Sequence, residues 1–196
     1  SGDVLVLPYA LAPGLWGERI AGLGARVAAP LGDHEGVTAA IVEQYIEGRE
    51  IYVGVLGNQK LQALPVWELF FDNMPSDSRR IATGRVKWSV AYQKKYGIDS
   101  GAARDASPST SEMIQHVCKR AFRALELSGF ARIDLRLDAE GRAWVIEANP
   151  NPQIARGEDF AASAEAAGLG YDTLIQRIVN LGLRWDNHKQ TPNHDN

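Results

Sequence analysis

Apolar residues recur at every second position along some stretches of the chain and at every third or fourth along others, and each change of period marks an element. From Thr38, IVEQYIEGREIYVGVLG reads as a strand, a break at Glu47-Gly48, and a second strand from Glu50 to Leu56. Gly57-Asn58 supplies a turn, and LQALPVWELF follows as a third strand. Pro65 lacks an N–H, so its place inside that run favours an edge position or a bulge. Residues 72–107 are polar, basic in the middle and without sustained period, which predicts a long functional loop. Helical spacing returns with Ile114, Val117, Cys118, Ala121, Phe122 and Leu125, opened by a capping box of Ser109 and Glu112 and ended by Gly129. Two more helices are predicted: one from about Glu158 to Ala167, stopped by Gly168, and one from Asp172 as its cap to Gly182. At the two ends the pattern fades. Residues 1–36 hold one strand-like run, Val4 to Pro8, then an irregular stretch rich in Gly, Ala and Pro, and residues 186–196 read as a disordered, solvated tail.

The segment ARIDLRLDAEGRAWVIEANPNP carries the chemistry. In its first strand Ile133, Leu135 and Leu137 alternate with Arg132, Asp134 and Arg136; in its second, Trp144, Ile146 and Ala148 alternate with Val145, Glu147 and Asn149. Asp138 to Gly141 is the turn. Successive side chains point to opposite faces, so pairing brings Ile133, Leu135 and Leu137 to the side of Trp144 and Ile146. The other face then collects Arg132, Asp134, Arg136, Glu147 and Asn149. In the simplest register Arg132 lies opposite Glu147 and Asp134 diagonal to it, at the ~7–8 Å that lets two carboxylates share a divalent ion. Two acids and two amides beside an arginine suit magnesium, which takes oxygen ligands, one or two of them carboxylates, together with substrate phosphates. A solvated face with cross-strand ion pairs is the ordinary alternative. EANPNP speaks against it, because two asparagines and two prolines stiffen the strand exit directly after the acid.

Composition narrows the class without choosing the function. The 196 residues suffice for one good core, or one core plus an appendage, and 45% apolar with 23% charged is ordinary for a soluble globular protein. A net charge of -3 gives no reason to expect nucleic acid. The single cysteine, Cys118, forms no internal disulfide and lies on an apolar helix face, which predicts a packed thiol in a reducing, cytoplasmic setting. No apolar run reaches membrane-spanning length, and the opening SGDVLVLPYALAPG lacks the basic leader of a signal peptide. The histidines are too scattered for zinc, Ser107, Ser109 and Ser111 read as capping residues, and no GxxxxGK phosphate loop occurs. Trp67, Trp88, Trp144 and Trp185 are expected in core or hinge packing.

The hairpin resembles the RxD and ExNxN strands of the ATP-grasp superfamily, in its D-alanine–D-alanine-ligase-like branch. The resemblance implies that Asp134, Glu147 and Asn149 hold one or two magnesium ions (manganese being possible), that Asn151 fills the last position of ExNxN, and that Arg132 steadies phosphate oxygens or an acyl-phosphate intermediate. VEQYIEGRE resembles the family's adenine strand. On that resemblance Glu43 accepts from the adenine amino group, Gln44 to Ile46 lend backbone groups, and Glu50 binds the ribose hydroxyls. RVKWSVAYQKKYG resembles the family's mobile loop, with Lys87 as the lysine that closes over the phosphates, whereas Lys94 and Lys95 read as solvated helix charges.

The resemblance covers about Ile41 to Trp185, and it places residues 37–185 in one ATP-grasp-like nucleotide- and metal-binding domain. The fold class expected is α+β, an antiparallel sheet with packed helices. Family members carry a further lysine and a glycine-rich phosphate loop ahead of the adenine strand, yet no lysine precedes Lys60 here and Gly14 to Gly24 do not read as such a loop. The chain is therefore expected to lack a complete N-terminal subdomain. After the metal strand, PNPQIARGEDFAASA departs from the Ser-Leu pair of D-alanine ligases; Gln153, Arg156 and Ser163 are either substrate contacts or polar residues at a helix start. The activity implied is ATP-dependent joining of a small carboxylate to an amine, amino acid or peptide-like, through an acyl phosphate. The alternatives are a domain that binds nucleotide and metal without turnover, or one that completes its site as a homodimer or with a partner subunit.

Overall fold

A computed structural model describes residues 45–185. The elements run β1 (Arg49–Leu56), β2 (Gln62–Ala63), β3 (Trp67–Phe71), α1 (Gly84–Trp88), α2 (Val90–Tyr96), β4 (Ile98–Ala102), α3 (Pro108–Ala124), β5 (Phe130–Leu137), β6 (Ala143–Asn149), α4 (Asp159–Ala166) and α5 (Tyr171–Leu183). All pairings are antiparallel, in the order β4-β3-β1-β5-β6, with the short β2 also on β1. The α+β sheet with packed helices is thus observed directly.

One face of the sheet is a continuous core. Ile51, Val53 and Val55 of β1, Ile133, Leu135 and Leu137 of β5, and Ala143 and Val145 of β6 meet Ile114, Val117, Cys118, Ala121 and Phe122 of α3. Alternation on the strands and helical spacing on α3 each supply one apolar surface, and burying both drives their contact. The other face divides in two. At one end Leu56, Leu64, Phe160, Ala161, Ala164 and Leu174 form a second cluster beneath α4 and α5. Gly54 makes this approach possible, since a Cβ there would lie 2.6 Å from Leu64 Cδ1 and 2.9 Å from Phe160 Cε2. Asn58 ties the same end together, donating to the Leu181 carbonyl and accepting from the Gly129 amide. The remaining half of this face is polar and uncovered by α4 and α5.

Several local expectations are corrected. The run LQALPVWELF forms two strands, β2 and β3, interrupted at Leu64–Val66 around Pro65. Residues 45–47 carry no regular structure, and the earlier part of the strand expected there lies outside the described residues. The stretch 72–107 is not one loop: it contains α1, α2 and β4. Ser107, not Ser109, caps α3, accepting from Thr110 N with Pro108 in the first turn. Trp88 is 83% exposed, so it is not a packing residue.

The hairpin register also differs from the simplest one. Arg132 lies opposite Asn149, Ile133 opposite Ala148, and Asp134 directly opposite Glu147, but Leu135 pairs with Val145. Ile146 is therefore the extra residue of a bulge. Before the bulge Ala143 and Val145 face the core and Trp144 faces away, opposite Arg136, where its indole N–H donates to Asp138 Oδ2 at 2.8 Å. The expected grouping of Trp144 and Ile146 with Ile133, Leu135 and Leu137 does not form.

Candidate functional site

The register builds a small lattice on the open half of the sheet. Glu50, Arg136 and Trp144 share one row; Tyr52, Asp134 and Glu147 the next; Gly54, Arg132 and Asn149 the third. The bulge is what aligns the middle row, bringing Asp134 and Glu147 face to face. Cross-strand neighbours of this kind sit ~4.5–5.5 Å apart at Cβ, so like charges there repel unless a cation intervenes.

Asp134 is 7% exposed and gripped by Arg132, whose Nε donates to Oδ1 at 2.7 Å and Nη2 to Oδ2 at 2.9 Å. Burial pushes the Asp134 carboxyl up; the Arg132 pair and Lys87 oppose this, and the facing Glu147 adds to it. The Arg132 guanidinium in turn stacks 4.6 Å over the Tyr52 ring. Burial also raises the Tyr52 phenol, helped by Glu50 and Asp134, so the ring stays neutral. Glu50 accepts from Arg136 Nη1 at 2.6 Å. Burial raises its carboxyl, Arg136 and Lys87 draw it down, and Asp134 pushes it further up.

Lys87 stands on α1, a single short helix capped by Thr83 and anchored by the buried Val86. Its own side chain is exposed, close enough to act on both Glu50 and Asp134. Glu147 and Asn151 are exposed; Asn149 accepts from the Asn151 amide at 2.9 Å, the local turn that the asparagine-proline exit of β6 requires. The Ile46 carbonyl accepts from Arg136 Nε at 3.0 Å. Glu43 and Gln44 lie outside the described residues. The fold therefore brings Glu50, Lys87, Arg132, Asp134, Glu147 and Asn149 to one face.

Two participants, Tyr52 and Asp159, were not singled out from the sequence, and a third, Arg136, was placed on the polar face without a role. Tyr52 floors the arginine, Arg136 holds Glu50, and Asp159 of α4, bound by the Ser100 hydroxyl, adds negative charge toward Arg132 and Tyr52. Tyr52 could have been found by extending the two-residue alternation from Glu50; Asp159 had no such signal. Of the open candidates after the metal strand, Ser163 is buried and donates to the Phe160 carbonyl inside α4, while Arg156 pairs with Asp172.

As a donor set, two facing carboxylates with an amide one rung away fit a hard divalent cation. Each carboxylate oxygen has two lone pairs, so Asp134 can accept from Arg132 and still face a metal. Among the described residues no group of three or more His, Cys, Asp or Glu is placed to hold a metal. No helix among them is long and apolar enough to cross a membrane.

A family model described as D-ala D-ala ligase C-terminus matches residues 34–180. The chain belongs to this family. It is thereby a member of the D-alanine–D-alanine-ligase-like branch of the ATP-grasp superfamily. A D-alanine–D-alanine ligase of Desulfotalea psychrophila is 32% identical over 150 residues, covering 74% of this chain and 42% of that protein. The structure of the D-alanine–D-alanine ligase of Coxiella burnetii aligns at a TM-score of 0.57 and 24% identity, covering 72% of this chain and 33% of that one. That of Bacillus anthracis, solved with ATP, aligns at 0.53 and 23% identity, covering 72% and 40%. At such identity the structural likeness establishes the fold alone. The chain spans about two-fifths of the length of the curated relatives it matches.

Proposed function

We propose that this chain supplies the nucleotide and magnesium face of an ATP-dependent ligase that joins a small carboxylate to an amine. The observation that carries this reading is the Asp134–Glu147 pair, opposed across β5 and β6 and flanked by Arg132 and Asn149, in a chain of this family. Asp134, Glu147 and Asn149 would hold one or two magnesium ions, with Asn151 completing the strand exit. Bound there, the metal would offset the charge of the β- and γ-phosphate oxygens.

The chain's own groups do the positioning. Arg132, braced from below by Tyr52 and from the side by Asp134, is a fixed cation for phosphate oxygens. Lys87 approaches from α1 as a mobile point charge. Glu50 accepts the ribose hydroxyls, Glu43 the adenine amino group, and Gln44 to Ile46 backbone contacts. Partial burial of Arg132 and Glu50 strengthens their interactions relative to water. Phosphoryl transfer from ATP to the carboxylate gives an acyl phosphate, and the amine displaces phosphate from it; electrostatic positioning provides most of the catalysis. The carboxylate and amine are of amino-acid size, as in the ligases that the chain resembles.

The test is to supply ATP, magnesium and a panel of amino acids and dipeptides and to follow ADP. Formation that requires both magnesium and one member of the panel supports a ligase. ADP formed at the same rate without any acceptor contradicts it.

A further inference from the structure

Arg136 is 4% exposed, and its guanidinium uses every donor it has. Nε donates to the Ile46 carbonyl at 3.0 Å. Nη1 donates to Glu50 Oε2 at 2.6 Å and to the Arg80 carbonyl at 2.7 Å. Nη2 donates to the Gly48 carbonyl at 2.8 Å and to the Tyr45 hydroxyl at 3.3 Å. A guanidinium carries five N–H groups in a planar fork, and all of them find an acceptor here. The acceptors come from three places: the irregular segment 45–48, the Glu50 carboxylate on β1, and the connection that leads to α1; of these, the sheet ladder itself joins only β1 to β5. Among the described residues, 45–47 have no strand partner, and the Ile46 carbonyl takes its donor from Arg136 instead. Arg136 lies two residues beyond Asp134 on the same face of β5, and its guanidinium also lies 5.4 Å from the Tyr45 ring centroid.

We propose that Arg136 is a positioning residue that ties the 45–48 segment, the Glu50 carboxylate and the connection before α1 to β5, setting all three in one frame with Asp134. Its consequence for nucleotide binding rests on the function proposed above; the tie itself does not. Only arginine fits the role. Lysine offers three donors from one point and cannot span five divergent acceptors, and methionine fills similar space with none.

The experiment uses the full chain with Arg136→Lys and Arg136→Met, first without ligand. Hydrogen exchange should quicken in residues 45–50 and 80–88 on the order of tenfold or more in both variants, the equivalent of one lost charge-assisted hydrogen bond. The core of β1, Ile51 to Val55, should keep its protection. Unchanged exchange in both segments overturns the proposal, and so does wild-type protection in the lysine variant. Equal acceleration throughout the core overturns it too, since Arg136 would then be only a stabilising residue. If Arg136→Met fails to fold, Arg136→Lys alone decides. Calorimetry with Mg-ATP then tests the consequence: affinity should fall on the order of tenfold in Arg136→Lys. Loosened segments in the variants, with no Mg-ATP binding by the wild type, establish the tie and contradict the proposed function instead.

Discussion

Asp134 and Glu50 are both carboxylates held against burial by an arginine on β5, and they differ in how they are held. Arg132 meets Asp134 with two parallel bonds, whereas Arg136 gives Glu50 one of five. Glu50 therefore retains acceptor capacity for a hydroxyl pair. Glu50→Gln should weaken ATP by ~1.5–3 kcal/mol, the worth of a hydrogen bond to a charged group, and weaken a 2′-deoxy analogue less. Equal weakening of both in calorimetry would count against a ribose role. The same variant reports on pH. Burial, opposed only in part by Arg136, leaves the folded-state pKa of Glu50 above its ordinary value. A raised carboxyl contributes stability that is present below the unfolded value and lost as pH rises through the folded one. Urea unfolding across that window should show wild-type stability falling as pH rises, and Glu50→Gln falling less, the remainder coming from Asp134, which is raised for the same reason. Parallel curves for the two proteins would contradict this.

Among the elements, β1 has the most exacting task, because its two faces and its two ends each meet something different. Gly54 is the point where it admits α4. Gly54→Val would press on Leu64 and Phe160, both buried, and overpacking of this kind costs ~1–3 kcal/mol. The urea midpoint should drop with an unchanged slope; an unchanged midpoint would mean that α4 moves aside freely. Such contacts also explain what could be read from the sequence. Arg132, Asp134, Arg136, Glu147 and Asn149 were legible as one face because alternation is local, though Trp144 was placed on the wrong side, and α4 and α5 were legible because Gly168 and apolar spacing delimit them. The register was not legible, because the bulge at Ile146 inserts a residue that alternation cannot count. The strand β4 was hidden because IDSGA buries little and owes its form to pairing with β3. The Ser109–Glu112 spacing imitates a capping box, but Pro108 takes the first turn of α3 and Ser107 caps it. Arg136 looked like one more charge on a polar face, since most of its acceptors are carbonyls of segments remote along the chain.

Taken as one body, residues 45–185 sandwich the sheet unequally. α3 closes one face, α4 and α5 close half of the other, and the half left open by them carries the acids and cations. That asymmetry leaves a charged face beside an intact core. Asp134 and Glu147 both lie on the open side, away from Ile133 and Leu135, so exchanging them for amides removes charge while leaving the core intact. Titration calorimetry of ATP, with and without magnesium, on the wild type and on the double variant Asp134→Asn/Glu147→Gln is therefore the decisive test of magnesium-dependent nucleotide binding at this face. Magnesium should tighten ATP binding to the wild type and have no effect on the folded double variant; wild-type affinity indifferent to magnesium, or a metal response that survives the double change, would contradict the account.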